Sequence, residues 1–124
     1  MRAIRTADLT PAQVGSIRAL LWEAFASDDD PFTEDDWQHA LGGIHFIMED
    51  QGAVVAHAAV IEREIVVDGR PLRTGYVEAV AVLPRRQGRG LGTLVMGRVT
   101  AHVRDGFELG ALGTGRHWRP GAAW

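Results

Sequence analysis

The chain has 124 residues, 46% of them hydrophobic, and a formal net charge of -3 at pH 7. That describes one globular domain with room for a core, and the acidic balance argues against general nucleic-acid binding. There is no cysteine and no lysine, which excludes disulfides, thiolate nucleophiles, thiolate metal sites and Schiff-base chemistry.

The N-terminal run MRAIRTADLT lacks the apolar stretch of a secretory signal, and no apolar run is long enough to cross a bilayer. A cytoplasmic protein without a membrane partner is expected. Residues 2–6 alternate loosely and predict a short edge strand. Thr10, Pro11 and Gln13 then form a helix start: Thr10 caps, Pro11 suits the first turn, and Gln13 closes a capping box. Val14, Ile17, Leu20, Leu21 and Ala24 make one apolar stripe, so this helix should run to about Phe25.

Asp28, Asp29, Asp30 and Pro31 end that helix and open an acidic segment. Thr33 caps a second helix whose first turn carries Glu34, Asp35 and Asp36, and Gly42-Gly43 should stop it. Residues 44–48 and 53–67 read as strands joined by a turn at Asp50-Gln51-Gly52. Asp68-Gly69 marks a second hairpin, with 72–83 as the returning strand.

Residues 84–90, PRRQGRG, form a basic, glycine-punctuated turn. Leu91, Leu94, Val95, Val99 and Val103 follow at helical spacing, and 107–112 should return as a strand parallel to the one ending near Val82. The expected fold class is therefore α/β (α+β): a mixed, mostly antiparallel sheet with helices on both faces.

A strand that turns through glycines into a helix leaves free N–H groups at the positive end of the helix dipole, a setting suited to phosphate. A plain connection with solvated arginines is the competing interpretation. The turn lacks the Gly-Lys-Ser/Thr of a nucleoside-triphosphate loop. It also lacks the third glycine of a dinucleotide loop, where Thr93 stands instead.

The spacing Arg85-x-x-Gly88-x-Gly90 after a Val-x-Val strand resembles the acyl-coenzyme A loop of the GNAT N-acetyltransferase superfamily. Further segments, among them Phe32-Thr33-Glu34, Leu41-Gly42-Gly43-Ile44-His45, Val55-Ala56-His57-Ala58 and Gly75-Tyr76-Val77-Glu78-Ala79-Val80, look like its aminoglycoside 2′-N-acetyltransferase branch. The resemblance runs from about Ala24 to His117. It implies acetyl-CoA as cosubstrate, a small-molecule amine as acceptor, the aminoglycoside 2′-amino group above all, and a homodimer as a possible assembly.

The resemblance assigns residues by position. Val80, Ala81 and Val82 match the strand that holds the pantetheine arm. Gln87, Gly88, Arg89, Gly90, Leu91 and Gly92 match the pyrophosphate loop. Glu78 and Ala79 match a Glu-Gly pair beside the acceptor amine, with alanine in the glycine's place. Asp30 and Gly113 match acceptor-binding positions. The family continues into a tyrosine-bearing helix and further strands where this chain reads GTGRHWRPGAAW, so a C-terminally truncated domain is expected.

Glu78 is the candidate base, because an ammonium must lose a proton before it attacks a thioester. Alternation puts it on the same face as Val80. The competing interpretation is a glutamate at the solvent edge or paired with an arginine. The histidines, His39, His45, His57, His102 and His117, show no ligand spacing and read as structural or surface residues, so no metal is expected. With Ser16 and Ser27 both near the N-terminus, direct attack in a ternary complex is easier to build than a covalent intermediate. The alternative to an active transferase is a truncated CoA-binding module without catalysis, and a third reading is a fragment that pairs its exposed sheet edge with another chain.

Overall fold

Capping fixes where the two N-terminal helices begin. In the computed structural model, which describes residues 1–112, Gln13 N–H bonds Thr10 Oγ1 at 3.1 Å and Thr10 N–H bonds Gln13 Oε1 at 2.9 Å. This starts α1 (Pro11–Ala24). The same reciprocal pair joins Thr33 and Asp36 at 3.2 and 2.8 Å and starts α2 (Glu34–His39). Each box stabilises its helix by about 1 kcal/mol. The second helix stops at its Ala40 cap, before the glycine pair expected to end it.

The strands are β1 (Arg2–Arg5), β2 (Ile44–Asp50), β3 (Ala53–Val67), β4 (Arg70–Val82) and β5 (Leu109–Leu112), in the sheet order β1-β2-β3-β4-β5. All neighbours pair antiparallel except β4 and β5, which are parallel across the helix α3 (Leu91–Gly106). The last strand is shorter than expected: Phe107 caps α3, and pairing starts at Leu109 against Thr74.

Two cores lie on opposite faces of the sheet. One joins Ile17, Leu20 and Leu21 of α1 to Ile47, Val55 and Ala81. The other joins Val95 and Val99 of α3 to Ala56, Ala58, Val60, Val77 and Val82. From Val55 on, strand alternation sorts the β3 residues, odd numbers toward α1 and even numbers toward α3, whereas Val54 also packs on the α1 side.

Leu94 corrects the expected stripe of α3, since it is 55% exposed. At 100° per residue, Gly92, Val95 and Val99 share one side of the helix, and Leu94 falls nearly opposite them. Gly92 is buried within that stripe. Gly43 is a position only glycine can hold, because a Cβ there would come within 2.0 Å of the Val60 carbonyl oxygen.

Candidate active site

The β3–β4 ladder has one irregularity, and the site forms around it. Across it His57 pairs with Ala81, but Ala59 pairs with Glu78, so β4 carries one residue more than its partner. The extra residue is a β-bulge at Ala79, whose φ is 54°. A left-handed residue at such a bulge is usually glycine, and alanine adopts it at a cost of about 1 kcal/mol.

The bulge overturns the expected facing of Glu78. Glu78 pairs with Ala59 and meets Arg63, on the α1–α2 side, while Val80 packs into the α3 cluster. Simple alternation would hold only in a regular strand.

Glu78 is half-buried, and burial raises its carboxyl above the usual glutamate range. Arg63 and His39 pull it back down, and Asp36 adds to the rise. Arg63 Nη2 lies 3.5 Å from Glu78 Oε1 and also donates to the His39 carbonyl at 3.1 Å. Its guanidinium stacks 5.1 Å above the Tyr76 ring. The glutamate therefore has the arginine partner that one sequence interpretation allowed, at the long end of ion-pair geometry.

Beyond Val77, its last pairing with β5, β4 has no strand on its outer edge among the described residues. Leu83 N–H bonds the Val55 carbonyl at 2.9 Å, so the Val82 backbone groups point the other way, toward that open edge. The Val82 carbonyl there accepts from Gln87 Nε2 at 3.2 Å, which ties the loop to the strand.

The loop continues from a 3-10 turn at Pro84–Arg86 into α3. Gly88 and Gly90 take φ of 79° and 81°, and no atom lies within 4 Å of where a Cβ would stand on either. The Gln87 amide is used internally, by the Pro84 carbonyl at 3.3 Å, whereas among the described residues no main-chain acceptor meets the amides from Gly88 to Gly92. Leu91 and Gly92 lie in the first turn of α3, so their N–H groups have no helical partner. Arg85 and Arg89 are exposed, and Arg86 is held by Asp50 at 2.5 Å.

Asp30 lies partly exposed in the bend before α2, just ahead of the buried Phe32, which stacks on Phe25. Of the acidic run around it, Glu34 is bound by Arg18 through both carboxylate oxygens, at 3.1 and 2.7 Å, and Asp36 serves as a cap. Gly113 and the tail after it lie outside the described residues.

Sequence reasoning missed the pairing of His45 with His57. Both are fully buried, and His45 Nδ1 is 2.9 Å from His57 Nε2. The turn after Asp50 did not signal it: Asp50↔Ala53 and Glu49↔Val54 pair odd with even positions, and the register shift between Met48 and Glu49 is what brings the two odd-numbered histidines to one face. Among the described residues, no group of three or more potential ligands is placed to hold a metal ion. No helix there is long and apolar enough to cross a membrane.

Comparison with known proteins agrees with this geometry. A family model for the acetyltransferase (GNAT) domain matches residues 5–113. The chain is 43% identical over 111 residues to an aminoglycoside 2′-N-acetyltransferase of Mycolicibacterium fortuitum, covering 90% of this chain and 55% of that protein. It thus spans about half the length of that relative. A GNAT family acetyltransferase from Brucella melitensis, solved in complex with acetyl-CoA, superposes with a TM-score of 0.66 at 22% identity, covering 90% of this chain and 73% of that one. An acyl-CoA N-acyltransferase from Pseudomonas aeruginosa gives 0.68 at 19% identity over 87% and 74%. The strand bulge, the open β4 edge, the glycine loop and the family match all lead to one assignment: the chain belongs to the GNAT acetyltransferase family, as a relative of the aminoglycoside 2′-N-acetyltransferases.

Proposed function

We propose that this domain transfers acetyl from acetyl-CoA to a primary amine, by direct attack within a ternary complex, and that the amine is the 2′-amino group of an aminoglycoside. The observation that carries the reading is continuity. The open edge of β4 at Val80–Val82 runs through the glycine loop to the unpartnered amides at the start of α3. Such a path suits a ligand with an amide-containing arm at one end and a diphosphate at the other.

In this reading Gly88, Arg89, Gly90, Leu91 and Gly92 hold the pyrophosphate through main-chain N–H groups, with Arg85 and Arg89 adding charge. Gln87 keeps the loop against β4 through its side chain. Val80, Ala81 and Val82 receive the pantetheine arm and present the thioester. Glu78 takes a proton from the acceptor ammonium, directly or through one water, and its raised proton affinity suits that role. The amine nitrogen then bonds the thioester carbon. An N–H at the open edge stabilises the oxyanion, the C–S bond breaks, and the second proton of the attacking nitrogen passes through water to the departing thiolate.

The aminoglycoside acceptor is supported by the Mycolicibacterium fortuitum relative and by the acidic run Asp28-Asp29-Asp30 ahead of α2. Purified 1–124 should acetylate a 2′-amino aminoglycoside, with CoA release followed by a thiol reagent and the product mass by spectrometry. Folded protein that binds acetyl-CoA in calorimetry but gives no product would reduce the domain to a CoA-binding module.

A further inference from the structure

We infer that His57 is a positioning residue for the β4 bulge, and that His45 and Thr6 set the orientation of its proton. The effect on catalysis rests on the transferase reading above; the hydrogen-bond chemistry does not.

The chain of contacts fixes its own direction. His57 Nδ1 lies 2.8 Å from the Ala79 carbonyl oxygen. A carbonyl only accepts, so the proton sits on Nδ1. His57 Nε2 is then bare in the neutral ring and accepts from His45 Nδ1 at 2.9 Å. His45 Nε2 in turn accepts from the Thr6 hydroxyl at 2.7 Å. Thr6 Oγ1 receives the Gly42 N–H at 3.0 Å, and the Thr6 amide bonds the Gly43 carbonyl at 3.0 Å. One set of tautomers satisfies every link, from a loop beside β1 to the bulge in β4. Both rings are 0% exposed, so water supplies no alternative partners.

The far end of this relay is where the fold is strained. Ala79 is left-handed, and its carbonyl sits where the β3–β4 register breaks. The imidazole supplies the donor that the broken ladder does not. Without it, a partly buried carbonyl would lose its protein partner and the left-handed alanine its restraint. A relaxed Ala79 would return Glu78 and Val80 to one face of the sheet, separating the base from its placement beside the thioester.

The test uses the full 1–124 chain with 15N-histidine. Long-range 1H–15N correlations at pH 7 should report the Nδ1–H tautomer for both His45 and His57; an Nε2–H or doubly protonated His57 overturns the inference. His57→Asn keeps an N–H donor near the Nδ1 position and His57→Leu removes it. In the folded variants, the HN–Hα coupling of Ala79 should keep its left-handed value in H57N and lose it in H57L. An unchanged coupling in H57L overturns the inference. In turnover, H57L should lose about a hundredfold in kcat, as a misplacement near 1 Å does, with a smaller change in the KM for acetyl-CoA and at least partial rescue in H57N. A fall in melting temperature with kcat of the folded fraction unchanged would leave His57 a core residue only. A wild-type chain without transfer would sink the transferase reading alone, and the tautomers and the Ala79 coupling would still decide this one. If H57L does not fold, the wild-type tautomers and the Ala79 coupling in H57N decide it: loss of the left-handed value in H57N overturns the inference.

Discussion

Glu78 and Val80 stand on opposite faces of the sheet although one residue separates them: Glu78 meets Arg63 on the α1–α2 side, and Val80 packs with α3. The inversion is the work of Ala79 between them, left-handed at φ 54°. In the proposed reading, the residue for the acceptor amine and the strand segment for the thioester arm thus come from one short stretch of β4, on opposite faces of the sheet.

Ala79 holds that geometry against its own preference, which yields a direct prediction. Ala79→Gly should stabilise the fold by about 1 kcal/mol, since removing the Cβ relieves the left-handed penalty at a position where glycine is the natural occupant. For a domain of this size that raises the melting point by about 4 °C. A calorimetric Tm at or below wild type would show that the strain is absorbed elsewhere.

Glu78→Gln separates function from stability. Removing the base should cut acetyl transfer by about a hundredfold or more. Its effect on stability runs the other way. Glu78 binds its proton more tightly folded than unfolded, so its stabilising contribution is complete below the unfolded value and is lost as pH rises through the folded one. At pH 7 the wild type carries the cost of a half-buried charge and the glutamine does not. Thermal melts should place E78Q above wild type at pH 7, with the gap closing near pH 4.

Arg63 tunes the same carboxyl. It is the first of the charges that pull the Glu78 proton affinity down, against the rise caused by burial. Arg63→Met keeps much of the apolar stem and removes the charge. The acid limb of kcat/KM should then move to higher pH, because Glu78 must be ionised to accept a proton. An unmoved limb would mean that Glu78 is not the group that titrates in the reaction.

Much of this arrangement was legible in the residues. The capping pairs at Thr10 and Thr33 and both hairpin turns carry local chemistry that works without knowledge of the rest of the fold. The glycine loop was legible for the same reason, since Gly88 and Gly90 announce positive φ in their own sequence. The bulge was not. Alanine at 79 gives no sign of a left-handed backbone, and only the mismatch between two long strands reveals it. The Arg63–Glu78 pair becomes visible once the β3–β4 hairpin is closed, whereas the His45–His57 pair depends on a second register shift, between Met48 and Glu49. Leu94 was misread because spacing of three or four residues tolerates a position well off the buried stripe.

The loop can be tested apart from the chemistry. Gly90 caps α3 with φ 81° and open space around its missing Cβ. Gly90→Ala should fold, with a backbone penalty of about 1 kcal/mol, and should place a methyl where the pyrophosphate would approach. The Kd for acetyl-CoA in calorimetry should rise about tenfold, equivalent to 1.4 kcal/mol. An unchanged Kd would move the diphosphate away from this helix start.

The buried histidine pair sets the acid limit of the fold. Burial lowers His45 to about 4 and His57 to about 3, against an ordinary value of 6.5; for His57 the neighbouring His45 lowers it further, while the bond to the Ala79 carbonyl opposes the shift. Both folded values are depressed, so the stability they contribute is complete above pH 6.5 and is lost as pH falls toward them. Between pH 6 and 5 the unfolded chain takes up nearly two protons that the folded one refuses, a slope of about 2 to 3 kcal/mol per pH unit. Urea midpoints measured across that window should fall steeply for wild type. For His57→Asn the slope should be about half as large, because only His45 then titrates on unfolding. Equal slopes in the two proteins would mean that His57 is already charged in the folded state, which its two hydrogen bonds do not forbid but its complete burial opposes.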